Sequence, residues 1–297
     1  MQRKEEVLVE ALPFIQTYEG KIFVIKFGGA VMTDEGLMRT FAKDVTMLKK
    51  LGINIVVVHG GGKEITTLAN AFGVETRFVE GMRYTDSKML ECVVYGLSSL
   101  NKEIAGLISL NGGAGIGLSG LDASLLKAKA LQSEIDLGYV GEVSAVNVSL
   151  LMLLMKNEMI PVVAPIGQGE NGQPYNINAD LAASAIAVAL DAEKLVYLSD
   201  TEGVMVDGAL ISSLSEGRSK ELIAGGKIHG GMIPKVNSAF EAMRNGVGKV
   251  HFIDGRIKHS LLLEIFTSEG IGTEMIRENA PKNSFNTHIE IENSYPV

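Results

Sequence analysis

Two lysines in this sequence stand beside glycine pairs, a setting that points to the binding of an anion. Lys26 ends an apolar run and is followed by Gly28 and Gly29, and Lys235 stands in the stretch GGMIPKV at 230–236. Lys235 falls in the first turn of a predicted helix, where the helix dipole disfavours a cation. For Lys26 alone, the alternatives are a side chain that extends along the surface and a salt bridge. For Lys235 alone, the alternative is an ordinary surface lysine. Together the two lysines favour phosphoryl transfer, because that reaction needs positive charge around the transferring group.

Two glycine turns follow two predicted strands. The apolar run 22–25 leads into KFGG at 26–29, and the β-branched run 53–58 leads into HGGG at 59–62. Ligands of open α/β sheets bind at the carboxyl ends of the parallel strands. Glycine lets the backbone approach a phosphate closely, and the helix that follows offers unpaired N–H donors. For either turn alone, a tight bend that requires positive φ is the alternative.

Three polar side chains alternate along YNINAD at 175–180. If this stretch is extended, Asn176, Asn178 and Asp180 point to the same side of the chain. Asp180 alone would be interpreted as the N-cap of the apolar helix predicted from 180 to 190. The two asparagines before it favour a binding role for the group.

Arg83 lies in the stretch EGMRYTD at 80–86. Its planar guanidinium could hold a substrate carboxylate through two hydrogen bonds. A surface ion pair with Glu80 or Asp86 is the alternative.

A third glycine pattern matches a dinucleotide-binding fingerprint but lacks its context. Gly115, Gly117 and Gly120 have the G-x-G-x-x-G spacing, yet no convincing strand-turn-helix unit surrounds them. We therefore predict a turn or an irregular strand here. The five histidines are dispersed, the single Cys92 is predicted to be core, and no Cys/His group has zinc-site spacing, so we expect no metal bound by protein ligands.

The composition limits the class of protein. The 297 residues include 27 Lys+Arg against 35 Asp+Glu, so the net charge is −8, and this acidity disfavours an extended nucleic-acid footprint. A hydrophobic fraction of 46% argues against disorder. The start is too acidic for a signal peptide, and no apolar stretch reaches the ~20 residues of a membrane span. We expect a cytoplasmic α/β protein that binds no membrane.

Apolar runs that alternate with amphipathic segments predict a mainly parallel sheet covered by helices on both faces. We predict strands at 22–25, 53–58, 161–164, 195–198 and 249–253, and helices at 5–18, 35–51, 64–72, 87–110, 150–157, 180–190, 234–245 and 259–266. We expect an N-terminal oligomerisation helix in residues 1–20, one lobe at 21–190, a second lobe at 191–278, and an unstructured tail at 279–297. Since no linker marks the seam near residue 190, the lobes should share one sheet or abut closely.

Six motifs in order resemble the N-acetylglutamate kinase family of the amino acid kinase superfamily. They are KFGG at 26–29, HGGG at 59–62, EGMRYTD at 80–86, YNINAD at 175–180, LSDTEGV at 198–204 and GGMIPKV at 230–236. The resemblance implies an open αβα sandwich whose N-terminal lobe binds N-acetyl-L-glutamate and whose C-terminal lobe binds ATP. The reaction would phosphorylate the side-chain carboxylate, giving N-acetylglutamyl 5-phosphate on the route to arginine. That nucleophile has an ordinary pKa of about 4.3 and needs no general base.

The resemblance also implies roles for single residues. Lys26 and Lys235 would flank the transferring phosphoryl group, and Asp180 would hold both lysines. Mg²⁺ would arrive with ATP. The remaining assignments are phosphate contacts for Gly28, Gly29, Gly61 and Gly62; substrate contacts for Gly61, Gly62, Arg83, Asn176 and Asn178; and nucleotide contacts for Ser199, Asp200, Gly203 and Val204.

The N-terminal segment and residues 250–273 resemble the arginine-inhibited branch of the family. In that branch, N-terminal helices interlace dimers into a hexameric ring, so the resemblance implies a homo-oligomer, either a dimer or a hexamer. It also implies arginine as inhibitor at Glu264 and Gly270. Whether a nitrogen-signalling protein binds the assembly stays open. A helix packed on its own lobe is the alternative for residues 5–18. Two other functions stay open at this point: a non-catalytic sensor of nucleotide and arginine on the same fold, and a dinucleotide-dependent oxidoreductase.

Overall fold

A computed structural model describes residues 4–79 and 81–278. The helices are α1 Lys4–Tyr18, α2 Glu35–Lys50, α3 Gly62–Ala71, α4 Ser87–Leu110, α5 Val148–Lys156, α6 Ala179–Ala189, α7 Glu216–Ala224, α8 Met232–Arg244 and α9 Ser260–Phe266. The strands are β1 Ile22–Phe27, β2 Asn54–His59, β3 Phe78–Val79, β4 Met82–Arg83, β5 Ala114–Ser119, β6 Leu126–Ala130, β7 Val140–Val146, β8 Met159–Ala164, β9 Ile166–Gln168, β10 Pro174–Ile177, β11 Lys194–Ser199, β12 Met205–Val206, β13 Ala209–Leu210, β14 Ser213–Ser215, β15 Lys249–Asp254 and β16 Thr273–Ile276.

An open eight-stranded sheet organises the chain, with the strand order β14-β16-β15-β11-β1-β2-β8-β5. Its neighbouring strands are parallel except for β15 and β16, which pair antiparallel. Strand β1 precedes residue 190 and β11 follows it. Because these two strands pair directly, one sheet contains strands from both halves of the chain. The prediction that both halves share one sheet is confirmed, whereas the division into lobes stays a prediction. The predicted tail at 279–297 lies outside the described residues.

Apolar side chains project from both faces of the sheet and pack against helices. On one face, Val24 and Val56 pack with α5, α6 and α8. On the other, Phe23 and Ile25 pack with α1, α2, α4 and α9. Because side chains of a strand alternate between its faces, a strand buried on both sides reads as a continuous apolar run. The predicted αβα sandwich around a mainly parallel sheet is confirmed.

Two smaller units were not predicted from the sequence. Strands β10, β7, β6 and β9 close into a small barrel, and β3 with β4 forms a short hairpin that carries Arg83. In the described part of the chain, no helix has both the length and the apolar character needed to cross a membrane.

The third glycine pattern serves close packing. Gly115 and Gly117 lie in β5, as the prediction of a strand or turn required. A Cβ at Gly115 would collide with the carbonyl of Ala105 and one at Gly117 with the side-chain amide of Asn101, both in α4. A Cβ at Gly120 would collide with a carbonyl of β9. These glycines let α4 and β9 approach the strand.

Two glycine-to-alanine substitutions should therefore have opposite effects. Gly117→Ala is expected to lower the free energy of unfolding by about 1–3 kcal/mol, because the new methyl overpacks a filled site. Gly106→Ala is the matched control: Gly106 lies in α4 with no atom near the added Cβ. It should raise stability by about 0.5–1 kcal/mol, because alanine loses less backbone entropy in a helix. Urea unfolding measures both, and equal effects would contradict this account of the glycines.

Candidate active site at the carboxyl edge of the sheet

An ion pair lies at the carboxyl end of β1. Nζ of Lys26 is 2.8 Å from Oδ1 of Asp180, which belongs to the first turn of α6. The Lys26 side chain is only 13% exposed and that of Asp180 30%. Oδ1 is buried and has no well-directed hydrogen bond within the described residues, so the contact is coulombic. Asp180 thus holds the lysine in place without satisfying its three N–H donors.

The N-cap of α6 is Asn178. Its Oδ1 accepts hydrogen bonds from the N–H groups of Asp180 at 2.8 Å and Leu181 at 3.2 Å. The alternative interpretation of Asp180 as the N-cap is therefore wrong. Because the asparagine satisfies the helix end, the Asp180 carboxylate is left for the lysine.

The two glycine turns are joined to each other and to β11. The N–H of Gly60 donates to the carbonyl of Phe27 at 2.8 Å, and the N–H of Gly28 donates to the carbonyl of Leu198 at 3.1 Å. These bonds continue the pairing of β2, β1 and β11 past the strand ends. The turns therefore lie side by side, as their positions after parallel strands predicted.

Glycine leaves room in both turns for the side chains that lie against them. The Lys26 amino group occupies the place that a Cβ of Gly28 would take. Gly61 has φ +159°, and the Leu97 side chain stands where its Cβ would be. Gly62 begins α3, whose first N–H groups have no acceptor within the helix and carry partial positive charge. This edge suits an anion.

A cavity of about 440 Å³ opens beside these turns. It brings together all the residues predicted to bind the acceptor substrate, namely Gly61, Gly62, Arg83, Asn176 and Asn178. Such a volume is in the ordinary range for small-molecule sites. Since Asn178 is two residues from Asp180, the cavity adjoins the Lys26 ion pair.

Arg83 is buried beside this cavity. Its Nη2 donates to the carbonyl of Gly62 at 2.7 Å and to Oγ1 of Thr66 at 2.9 Å, and burial lowers the pKa of Arg83. The alternative of an ion pair with Asp86 is wrong, because Asp86 caps α4 instead. Glu80 lies outside the described residues. No carboxylate within the described residues neutralises the guanidinium, which favours an anionic ligand.

Lys235 is a half-buried residue in the first turns of α8. Helices α6 and α8 pack together, and Ser184 and Ser238 both hydrogen bond with Tyr197, whose pKa is raised by burial. Ser184 follows Asp180 by one helical turn, and Ser238 follows Lys235 by one turn. Since both helices precede parallel strands, their N-termini meet at the same sheet edge. This favours the predicted proximity of Lys235 to Asp180, although Lys235 makes no ion pair within the described residues.

The four predicted nucleotide residues lie in or just after β11. Ser199 ends the strand, and the Asp200 carboxylate packs against the first glycine turn. Gly203 takes φ +140° beside Thr273. Val204 is fully buried, and its N–H donates to Oγ1 of Thr273. Its side chain therefore belongs to the core. Of the other three residues, Asp200 is exposed, whereas Ser199 and Gly203 are buried.

The two predicted inhibitor residues lie together in a pocket next to α1. Glu264 accepts a hydrogen bond from Nδ1 of His251 at 2.7 Å and others from the N–H groups of residues 271–272. Gly270 packs against the Glu264 carboxylate, and Lys194 approaches Nε2 of His251 at 2.9 Å. Burial lowers the pKa of Lys194 to about 8. Helix α1 packs on α9 of the same chain, and its predicted part in oligomerisation stays a prediction.

One supporting pair was missed in the sequence. Nδ1 of the fully buried His59 donates to the carbonyl of Gly60 at 2.6 Å, and Nε2 accepts from Asn101 at 3.1 Å. Burial lowers the pKa of His59 to about 4, so the imidazole is neutral. The only sequence signal is its place immediately before the glycines, because Asn101 lies in a distant helix.

Comparison with known proteins identifies the family. Residues 21–254 match the model of the amino acid kinase family. Acetylglutamate kinase of Aquifex aeolicus (strain VF5) is 51% identical over 292 residues, covering 93% of this chain and 98% of the relative. Acetylglutamate kinase of Chlorobium phaeobacteroides is 50% identical over 279 residues, covering 94% of this chain and 92% of the relative. The chain belongs to the acetylglutamate kinases of the amino acid kinase family. The family resemblance inferred from the six motifs is confirmed.

Solved structures agree on the fold. N-acetylglutamate synthase from Neisseria gonorrhoeae, complexed with coenzyme A and N-acetyl-glutamate, superposes with a TM-score of 0.83 at 27% identity. The match covers 94% of this chain but 65% of the synthase. Isopentenyl phosphate kinase, at 16% identity and a TM-score of 0.59, shares the fold alone.

Replacing the buried His59 should make the loss of stability at acidic pH smaller. The pKa of His59 is about 4 in the folded protein against an ordinary 6.5. As pH falls through this window the unfolded chain binds a proton that the folded protein does not, so stability falls by up to about 3 kcal/mol. Urea unfolding at about pH 7 and about pH 4.5 should show a smaller loss for His59→Gln than for wild type.

The control is His229→Gln, which removes an exposed histidine. It should keep the wild-type loss of stability between the two pH values. An equal loss in wild type and His59→Gln would contradict the burial of a neutral imidazole.

Proposed function

We propose that this chain phosphorylates the side-chain carboxylate of N-acetyl-L-glutamate with ATP, forming N-acetylglutamyl 5-phosphate in arginine biosynthesis. The observation that carries the proposal is the arrangement along one edge of the sheet. Arg83, which is buried and has no carboxylate partner among residues 4–79 and 81–278, lines a cavity beside the Lys26–Asp180 pair. Membership of the acetylglutamate kinases supports the same acceptor.

The residues suit a reaction between two anions. The acceptor carboxylate is ionised at neutral pH and attacks without a general base. Its approach to the terminal phosphate is opposed by repulsion, which Lys26, Lys235 and the N–H groups of the glycine turns reduce. The predicted phosphate contact of Gly28 is the exception, because its N–H donates to the carbonyl of Leu198. Arg83 and Asn176 hold the other end of the acceptor and fix its orientation.

ATP brings the phosphoryl group, and Mg²⁺ on its phosphate oxygens adds positive charge when bound. The donor set fits such a nucleotide, because the edge offers lysine ammonium groups and helix N–H donors to phosphate. Within residues 4–79 and 81–278, no three His, Cys, Asp or Glu side chains are arranged to hold a metal. We propose that the phosphates of ATP hold Mg²⁺ and that Ser199, Asp200 and Gly203 lie near the nucleotide.

We further propose that residues 21–190 bind the acceptor and residues 191–278 bind ATP in a cytoplasmic enzyme. All the cavity residues precede residue 190, and the loop after β11 follows it. A homo-oligomer assembled through α1 and a nitrogen-signalling partner are proposed from the family resemblance. The ion-paired Lys26 favours catalysis over a non-catalytic sensor of nucleotide and arginine, because a sensor does not require it.

The acceptor identifies the function most directly. ADP release is measured with N-acetyl-L-glutamate, glutamate and aspartate as competing acceptors. We expect turnover with the acetylated amino acid and little with the other two. Absence of ADP release with acetylglutamate would overturn the proposed function.

The same assay tests the lysines. Lys26→Met and Lys235→Met should each lower kcat about 100-fold or more, because each removes a charge aimed at the transferring group. Lys129→Met is the control, since Lys129 is exposed and pairs with Glu142. It should keep wild-type turnover. Wild-type kcat in either active-site variant would contradict the assigned charge stabilisation.

We propose that arginine inhibits at the pocket of Glu264 and Gly270. The site lies between α1 and α9 and contains the carboxylates of Glu264, Glu269 and Glu274, which suit a guanidinium. Arginine should lower turnover of the wild type. Glu264→Gln, compared with its own arginine-free rate, should need about tenfold more arginine for half inhibition. Flat activity across arginine concentrations would remove this regulation and leave the kinase assignment intact.

A further inference from the structure

A fully buried threonine connects the two substrate-gripping residues. Oγ1 of Thr85 donates to the carbonyl of Arg83 at 2.8 Å and lies 3.0 Å from Nδ2 of Asn176. Arg83 ends β4 and Asn176 lies in β10, so the hydroxyl joins elements 91 residues apart in sequence.

The chemistry of this hydroxyl fixes the orientation of the asparagine amide. A threonine hydroxyl has one proton to donate, and a carbonyl can only accept. The proton is therefore used on Arg83, and Thr85 must accept from the NH₂ group of Asn176. The amide of Asn176 cannot be flipped without losing this bond. Its Oδ1 remains as the acceptor of a residue that lines the substrate cavity.

The backbone around Thr85 reinforces the same connection. The N–H of Thr85 donates to the carbonyl of Leu137 at 3.1 Å, and its carbonyl accepts from Tyr139 at 2.7 Å. The N–H of Asn176 in turn donates to the carbonyl of Tyr139 at 2.9 Å. Gly138 has φ +67° and passes against the Thr85 carbonyl, where a Cβ would collide. Thr85 is thus held rigidly with respect to Asn176.

We propose that Thr85 is a positioning residue for the acceptor substrate: its hydroxyl orients the Asn176 amide relative to Arg83, so that both can engage one ligand. The inference rests on the proposed function. It adds a residue that touches no substrate but determines how two binding residues are presented. Its loss should weaken acceptor binding and leave nucleotide binding alone.

Three substitutions distinguish the effect of the Thr85 hydroxyl group from the effect of the volume of the side chain. Thr85→Val keeps the shape and removes the hydroxyl, Thr85→Ala removes it without placing a methyl against Asn176, and Thr85→Ser keeps it. The matched control is Thr46→Val, which deletes another buried threonine hydroxyl, bonded to the Ala42 carbonyl in α2. Kinetic constants for acetylglutamate and ATP are measured together with urea stability.

Thr85→Val and Thr85→Ala should each raise KM for acetylglutamate about tenfold, because Asn176 loses the partner that orients it. KM for ATP should stay near the wild-type value, Thr85→Ser should restore acetylglutamate affinity, and Thr46→Val should lose stability without changing either KM. If Thr85→Val does not fold, Thr85→Ala and Thr85→Ser decide the question.

Wild-type acetylglutamate affinity in Thr85→Ala would overturn the inference, as would an increase in KM for Thr85→Val alone, which would indicate a steric effect. A parallel rise in KM for ATP, or a higher KM for acetylglutamate in Thr46→Val, would indicate that Thr85 contributes only to the general stability of the fold. These outcomes leave the kinase assignment standing. Absence of ADP release by the wild-type protein with acetylglutamate would overturn the proposed function and, with it, this inference.

Discussion

Repulsion between an acceptor carboxylate and a nucleotide phosphate is the constraint around which this edge of the sheet is built. Burying cations to offset it is costly unless they are paired or bind anions. Lys26 receives one carboxylate, and Arg83 receives only neutral oxygens within the described residues. The described residues therefore do not fully neutralise these cations, and the remaining positive charge is available to the two substrates.

Neutral polar groups keep the charged ones in position. His59 and Asn101 support the second glycine turn, Asn178 caps α6 so that Asp180 can face Lys26, and Thr85 links Arg83 to Asn176. Such buried networks rigidify a site when every donor and acceptor is satisfied, and they are costly when one member is lost. Positioning thus depends on uncharged residues that carry out none of the chemistry themselves.

The sequence was informative where chemistry and chain position coincide. A lysine at the end of a strand and glycines after it are local signals, and the structure places both turns together at the carboxyl edge. Asn101 and Thr85 gave no such signal, because their partners lie 42 and 91 residues away. The barrel strands were missed for a related reason: β9 and β10 are short, and their pairing, not their hydrophobic pattern, defines them. For Asp180, local propensity favoured a cap, but Asn178 already filled that position.

The proposed inhibitor pocket and the active edge lie at opposite ends of the same strands. Lys194 begins β11 and lines the pocket, whereas Ser199 ends it, about 17 Å away at the usual rise of a strand. A strand buried on both faces and paired on both sides resists local deformation, because its neighbours are close-packed. If arginine binds there as proposed, it would act more readily by moving α1 and α9, which pack over the sheet, than by distorting β11. Because β1 pairs directly with β11, a rotation of the proposed nucleotide lobe against the proposed acceptor lobe would have to twist the sheet.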